Sequence, residues 1–266
     1  MQKTYKMLAP YNQLTLQQKK QIIDVFNSGM ECRNIPNYMG VSNRSVARVL
    51  SEASVNTKRK NRYTLDESYF DVINSTKKAY LLGLMAADGC VTKTNYIAFE
   101  SIDIELTKIL IDELQYSGEM RTIKPGIYKS HYRINFSSQR LAKALSKYGV
   151  VTGRMFTGDF YFPRQSKYLA AYLLGYFDGD GCAYVNKGRS GGLVCIVGAW
   201  EFSYELVKLL NMGSVQEHQL KKVYYWRIYS REHIEAFYNF VYSDSSLGLQ
   251  RKKQKIKQIL GSYKRG

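Results

Sequence analysis

The sequence predicts an α+β protein: two copies of an αββαββα unit preceded by a small all-helical module. Three observations carry that reading. A twelve-residue stretch occurs twice, Ala79-Tyr-Leu-Leu-Gly-Leu-Met-Ala-Ala-Asp88-Gly-Cys90 and Ala171-Tyr-Leu-Leu-Gly-Tyr-Phe-Asp-Gly-Asp180-Gly-Cys182, with eight of twelve positions identical. Downstream of each copy the similarity continues. Glu105-Leu-Thr-Lys-Ile-Leu110 matches Glu205-Leu-Val-Lys-Leu-Leu210 at an offset of 100, Tyr132-Arg-Ile134 matches Trp226-Arg-Ile228 at 94, and Tyr148 with Tyr242 keeps that offset. Residues 1–55, by contrast, carry helix starts and stops and no strand pattern.

In the head, residues 1–13 hold no strong pattern. Thr15 with Gln18 forms a capping box for a first helix whose Ile22, Ile23 and Phe26 share a face, and Gly29 stops it. Pro36 fits the first turn of a second helix after Asn34, and Met39-Gly40-Val41 supplies a turn. Ser42 caps a third helix that turns Val46, Val49 and Leu50 inward and shows Asn43, Arg44, Ser45 and Arg48 on its polar face. Basic and hydroxyl side chains near a helix N-terminus suit phosphates and base edges, so the three helices resemble a helix-turn-helix. An ordinary three-helix subdomain would give the same pattern. The sequence divides into this head (1–55), a basic linker (56–65) with Lys58, Arg59, Lys60 and Arg62, a first half (66–150) and a second half (151–266).

Within each half the predicted order is motif helix, hairpin (90–101; 182–198), helix (103–115; 200–211), hairpin (119–136; 214–230) and helix (138–148; 232–242). Small residues recur every fourth position in the motif helices (Ala79, Gly83, Ala87; Ala171, Gly175, Gly179), a ridge that lets two backbones approach closely. Packed through those ridges, the helices would bring Asp88 and Asp180 side by side. Two carboxylates forced together repel, and a divalent cation relieves that. The second hairpins alternate. Tyr132, Ile134 and Phe136 face one way and His131, Arg133 and Asn135 the other; Trp226 and Ile228 oppose Tyr225, Arg227 and Tyr229. The extra residues Asn186–Gly192 read as a longer hairpin loop carrying Lys187 and Arg189. Leu249–Leu260 reads as a basic closing helix with Arg251, Lys252, Lys253, Lys255 and Lys257.

Thirty-nine Lys and Arg against twenty-two Asp and Glu, in 266 residues, leave a net charge of +17 spread over all regions. A polyanion is the expected partner. The longest apolar run, Tyr168–Phe177, is too short for a bilayer, and no signal peptide or basic amphipathic helix argues for a membrane. Four cysteines without CxxC spacing are expected to be reduced packing residues, consistent with a reducing cytoplasmic interior. Three scattered histidines suggest neither a zinc site nor a triad.

The paired motifs resemble the signature of the LAGLIDADG homing endonucleases, Leu81–Gly89 and Leu173–Gly181 matching its nine positions. The resemblance covers roughly residues 66–260. It implies two halves related by a pseudo-two-fold axis along the motif helices, with sheets forming a saddle over double-stranded DNA. It also implies metal-dependent, site-specific double-strand cleavage by a monomer that needs no organic cofactor. By that resemblance Asp88 and Asp180 ligate Mg²⁺ or another divalent cation such as Mn²⁺, assisted by the Ala87 and Gly179 carbonyls. The sixth motif position is Ala86 in one copy and Asp178 in the other, a departure expected to matter little. A basic helper at the end of each half's last strand corresponds to Arg231, with Ser137 or Ser138 in the first half. Arg121, His131, Arg133, Asn135, Lys187, Arg189, Tyr225, Arg227 and Tyr229 would face DNA, with Arg44, Ser45 and Arg48 reading a flank. A DNA-binding regulator without cleavage and an RNA maturase on the same fold are the alternatives. Met1 and Gly266 at the ends argue against an excised intein.

Overall fold

The computed structural model describes residues 9–55, 57, 63–124, 126, 129–153, 160–219 and 223–263. Lys58, Arg59, Lys60 and Arg62 lie outside the described residues. The chain forms two compact units, Met1–Arg62 and Tyr63–Gly266.

In the first unit a 3-10 turn (Tyr11–Gln13) precedes α1 (Leu16–Asn27), α2 (Ile35–Met39) and α3 (Asn43–Glu52). The expected capping box is present: the Thr15 hydroxyl accepts from Gln18 N while the Gln18 side chain accepts from Thr15 N. Pro36 sits in the first turn of α2, and Gly40 follows it at φ 66°, left-handed backbone that a side chain resists. Ile22, Ile35, Val41, Val46, Val49 and Leu50 close a small core. Ser45 corrects the sequence reading. It is buried at 1 % exposure, its hydroxyl shared between Ser42 Oγ and the Ala9 carbonyl, so it holds α3 to the chain start and does not belong to the exposed polar face.

In the second unit the first half runs α4 (Thr76–Asp88), β1 (Gly89–Val91), β2 (Tyr96–Ser101), α5 (Ile104–Glu113), β3 (Arg121–Ile123), β4 (His131–Ser137) and α6 (Gln139–Lys147). The second half repeats it as α7 (Ser166–Asp180), β5 (Gly181–Val185), β6 (Gly192–Gly198), α8 (Trp200–Leu210), β7 (Ser214–Glu217), β8 (Tyr224–Ile228) and α9 (Arg231–Val241), and α10 (Gln250–Ser262) follows. Each half holds a four-stranded antiparallel sheet, ordered β1-β2-β4-β3 and β5-β6-β8-β7. One core runs through both halves, with Phe99, Ile134, Trp226 and Phe237 buried between sheets and helices.

The motif helices meet backbone to backbone. A Cβ added to Gly83 would stand 2.0 Å from the Tyr172 carbonyl oxygen, and one added to Gly175 would stand 2.0 Å from that of Tyr80. The contact is symmetric because the motifs are, and only glycine permits it. None of the described helices is long and apolar enough to cross a membrane.

Two of the predicted repeat alignments are shifted. Along the strands, Gly89 pairs with Phe99, which pairs with Ile134, whereas Gly181 pairs with Ile196, which pairs with Trp226. The counterpart of Trp226 is therefore Ile134, 92 residues before it, and not Tyr132. The caps agree, since Ser138 accepts from Leu141 N and Ser230 from His233 N, again 92 apart. The buried Leu106, Thr107 and Leu110 of α5 correspond to Phe202, Ser203 and Leu206 of α8, an offset of 96 where the Glu-Leu match gave 100. The errors are two residues in a strand and four in a helix. Each is about one period, which keeps every side chain on its face and so leaves no trace in the hydrophobic pattern.

Candidate active site

Helices α4 and α7 end at Asp88 and Asp180, and the following glycine of each opens a strand. Both acids are half-buried. At Gly179 a Cβ would stand 2.4 Å from Ala87 Cβ and 3.1 Å from Asp88 Oδ2. The acid of one motif thus lies over the backbone that precedes the acid of the other. Beside it is a cleft of about 340 Å³ whose walls include Asp88, Gly179, Asp103, His131, Arg251 and Lys252.

Lys252 was not among the candidate site residues. It comes from the first turn of α10 and is 6 % exposed. Its ammonium donates to the carbonyls of Phe177 (2.5 Å), Asp178 (2.8 Å) and Gly181 (2.7 Å), with Gly179 O at 3.5 Å. They lie at and just beyond the C-terminus of α7, where the helix dipole favours a cation, and Phe177 O also accepts from Gly181 N. Burial nevertheless pushes the ammonium down to about 8, against the nearby Asp178 carboxylate. A sequence signal existed: Lys252, Ile256 and Ile259 recur at helical spacing and all three are buried, so Lys252 occupies an apolar stripe.

Asp178, at the sixth motif position, has a structural role apart from any metal. It is 1 % exposed, and its Oδ2 accepts from Tyr80 Oη and from Leu249 N, both at 2.8 Å. One carboxylate thereby ties α7 to α4 and to the entry of α10. Burial pushes it up to about 6, with Lys252 opposing the shift. Ala86, at the matching place, can accept nothing through its side chain.

The other predicted residues distribute as follows. Arg251 makes a two-pronged pair with Asp103 (Nε to Oδ1 2.9 Å). On the first sheet Glu100 holds His131 Nδ1 at 2.8 Å and accepts from Arg133 Nε at 2.6 Å, while Arg121 stands opposite Arg133 in register. Asn135 is half-buried on that same face. On the second sheet Arg227 lies 4.7 Å over the Tyr225 ring and donates to Gln216, and Tyr229 is exposed. Lys187 and Arg189 are exposed in the loop between β5 and β6. This second face is partly apolar, because β6 presents Leu193, Cys195 and Val197 to it. Cys182 and Cys195 are opposed in register there. Cys182 is exposed, which departs from the buried place expected, and a hydrogen bond with Cys195 holds its thiol down at about 6. Arg231 stands exposed as the first residue of α9, and the cations in the walls of the Asp88 cleft are Arg251 and Lys252 in its stead. In the head, Arg44 is exposed, and Arg48 lies 4.1 Å over the Tyr11 ring and pairs with Glu52.

A divalent cation is chemically compatible with the motif ends. Carboxylates of Asp88 and Asp180 with carbonyls of Ala87 and Gly179 form a hard oxygen set, and the missing Cβ at Gly179 lets the Asp88 carboxylate approach that backbone closely. No group of three or more His, Cys, Asp or Glu is gathered among the described residues, so such an ion would complete its shell with water or phosphate oxygens.

Comparison with known proteins bears on the second half. Residues 167–241 match the LAGLIDADG-like domain family. No curated protein matches. Among solved structures, the I-LtrWI LAGLIDADG homing endonuclease bound to target DNA is 14 % identical, with 73 % of this chain and 90 % of that chain covered and a TM-score of 0.47. The LAGLIDADG meganuclease I-AabMI bound to uncleaved DNA is 16 % identical over 71 % and 90 %, at 0.49. Full-length DUF199/WhiA from Thermatoga maritima is 17 % identical over 76 % and 68 %, at 0.48. Residues 167–241 are a LAGLIDADG-like domain, and residues 76–147 repeat its architecture around a second copy of the same motif.

Proposed function

We propose that the chain is a site-specific, divalent-metal-dependent double-strand DNA endonuclease that acts as a monomer. The observation that carries this is the pair of acids. An acid at a helix C-terminus is disfavoured by the helix dipole, and here two stand at matched helix ends joined by a glycine contact that fixes their relation. Packing alone does not call for them.

Asp88 and Asp180, with the Ala87 and Gly179 carbonyls, would hold Mg²⁺ or Mn²⁺. Such an ion, when bound, lowers the pKa of water and neutralises charge on a phosphodiester. The chain itself supplies orientation and grip. Arg121, His131, Arg133 and Asn135 on one sheet, and Tyr225, Arg227, Tyr229, Lys187 and Arg189 on the other, contact phosphates and base edges. Arg44 and Arg48 extend recognition from the head as a helix-turn-helix. Arg231, exposed at a helix start, contacts phosphate.

A DNA-binding protein without cleavage is the second reading. It is favoured by Lys252, which already brings a positive charge to the carbonyls at the end of α7. The two readings separate in one experiment. Wild-type, D88N and D180N proteins are incubated with a randomised duplex pool and Mg²⁺ or Mn²⁺, and bound and cut DNA are sequenced. Wild-type cutting, lost at least a hundredfold in either variant with DNA affinity within about threefold, is the expected outcome. Cutting at wild-type rate by either variant sinks the assignment of the acids, and binding without cutting by the wild type leaves the second reading.

A further inference from the structure

We propose that Lys252 is a fixed cation of the Asp88 side of the site, delivered there by α10, and that it opposes metal affinity while promoting cleavage of one strand. The inference rests on the nuclease reading above. Lys252 lines the same cleft as Asp88 and Gly179. Three carbonyls at and just beyond the end of α7 hold its ammonium at 2.5–2.8 Å, so its position is set without DNA or metal. A buried charge held by hydrogen bonds costs no reorganisation when negative charge develops nearby, and that is the condition under which such a group stabilises a phosphoryl-transfer transition state.

The anchoring is specific. Asp178 Oδ2 accepts from Leu249 N at 2.8 Å and so fixes the first turn of α10, one helical turn from where Lys252 enters the cleft. Ile256 and Ile259, buried on the same stripe, keep that face inward. Only the second motif carries the acid that does this, since Ala86 stands at the matching place. Arg251, the neighbouring cation, is already committed to Asp103.

A cation fixed beside a metal-binding carboxylate acts in two opposite directions. It repels a divalent ion, because exposed and half-buried charges within a Debye length of about 8 Å remain coupled. It also attracts the phosphodiester and stabilises the charge that builds during its hydrolysis. A side chain whose role was only to hold the end of α7 would behave differently. Its loss would disturb the Gly179 carbonyl and Asp180 together, weakening metal binding and slowing both strands alike.

The test uses K252Q, whose amide can still donate to the α7 carbonyls, and K252M as a second variant without a donor. Melting temperature confirms folding. DNA selected by wild-type binding, labelled on either strand, gives strand-specific cleavage rates. The Mn²⁺ affinity of the protein–DNA complex is read from the free-ion EPR signal. Expected for K252Q is Mn²⁺ affinity raised at least threefold, with cleavage of one strand slowed at least tenfold and the other within threefold, so that nicked product accumulates. K252M should shift both readouts in the same directions. Equal slowing of both strands, no slowing, or unchanged or weakened Mn²⁺ binding by a folded K252Q overturns the proposal. If the wild type cuts nothing in the pool, the nuclease reading itself has failed, and the Mn²⁺ comparison still decides whether Lys252 opposes a cation at Asp88.

Discussion

Replacing Gly83 with alanine should separate the two motif helices and cost the second unit a measurable part of its stability. The new Cβ would stand 2.0 Å from the Tyr172 carbonyl oxygen, and ordinary contact begins near 3.4 Å, so the helices must part locally by up to about 1.4 Å. Nothing else can give way, because the obstacle is backbone, with Tyr172 C and Tyr176 N at 2.9 Å behind it. Overpacking a close-packed interior costs about 1–3 kcal/mol, and a backbone obstacle places G83A at the upper end, about 3 kcal/mol. In a unit of this size that is about 6–12 °C in melting temperature. G175A should match it, since Tyr80 O stands at the same 2.0 Å. The double variant should fall short of the sum, because helices already parted by one methyl accommodate the second more cheaply. Differential scanning calorimetry of the full chain is the assay. The control is G261A, where nothing lies within 4 Å, and it should be neutral or slightly stabilising. If G83A melts within about 2 °C of wild type, the glycine contact does not set the helix separation.

Asp178 gives a pH signature. Its folded value is raised to about 6 from 3.8, so the stability it contributes is fully present below about pH 3.8 and is lost as pH rises through 6. Unfolding free energies from urea of wild type relative to D178N, whose single amide oxygen can still accept from both Tyr80 and Leu249 N without titrating, should therefore decline by up to about 3 kcal/mol between pH 4 and 7.5; a flat difference would contradict the burial of an ionising group there. A chain beginning at Tyr63 should fold and still cut at higher protein concentration with looser demand on one flank, since tethering makes the contribution of the head effectively intramolecular. Tyr63 must be kept because its hydroxyl accepts from Ser137 N at 2.9 Å, and a truncated protein that folds yet never cuts would place the head in the catalytic assembly.

Most of what positions the acids was legible because it is local or periodic. Thr15, Ser42 and Pro36 announce helix starts through their own side chains, and the glycine ridge of each motif helix is written at a spacing of four. What was missed depends on partners far away in the chain. Ser45 reads as a polar surface residue until Ala9, 36 residues earlier, supplies its acceptor. Asp178 looks incidental until Tyr80 and Leu249 N converge on it. Lys252 sits in a run of five basic residues whose bulk charge hides that one of them shares the face of Ile256 and Ile259. The match of Tyr132 with Trp226 used an offset of 94, and the strand pairing sets 92.

That offset matters to anyone wishing to rebuild the protein as two identical halves. A splice chosen by the best-looking sequence match, Tyr132 onto Trp226, would graft a segment that is chemically plausible at every position and displaced along the sheet by two residues, about 7 Å. Its greasy side would still meet the core, so the chimera could pass a test of solubility or helix content while its grip on a ligand was out of step. A join made at Ile134 onto Trp226, with Ser138 laid on Ser230, keeps the teeth of the two halves in mesh.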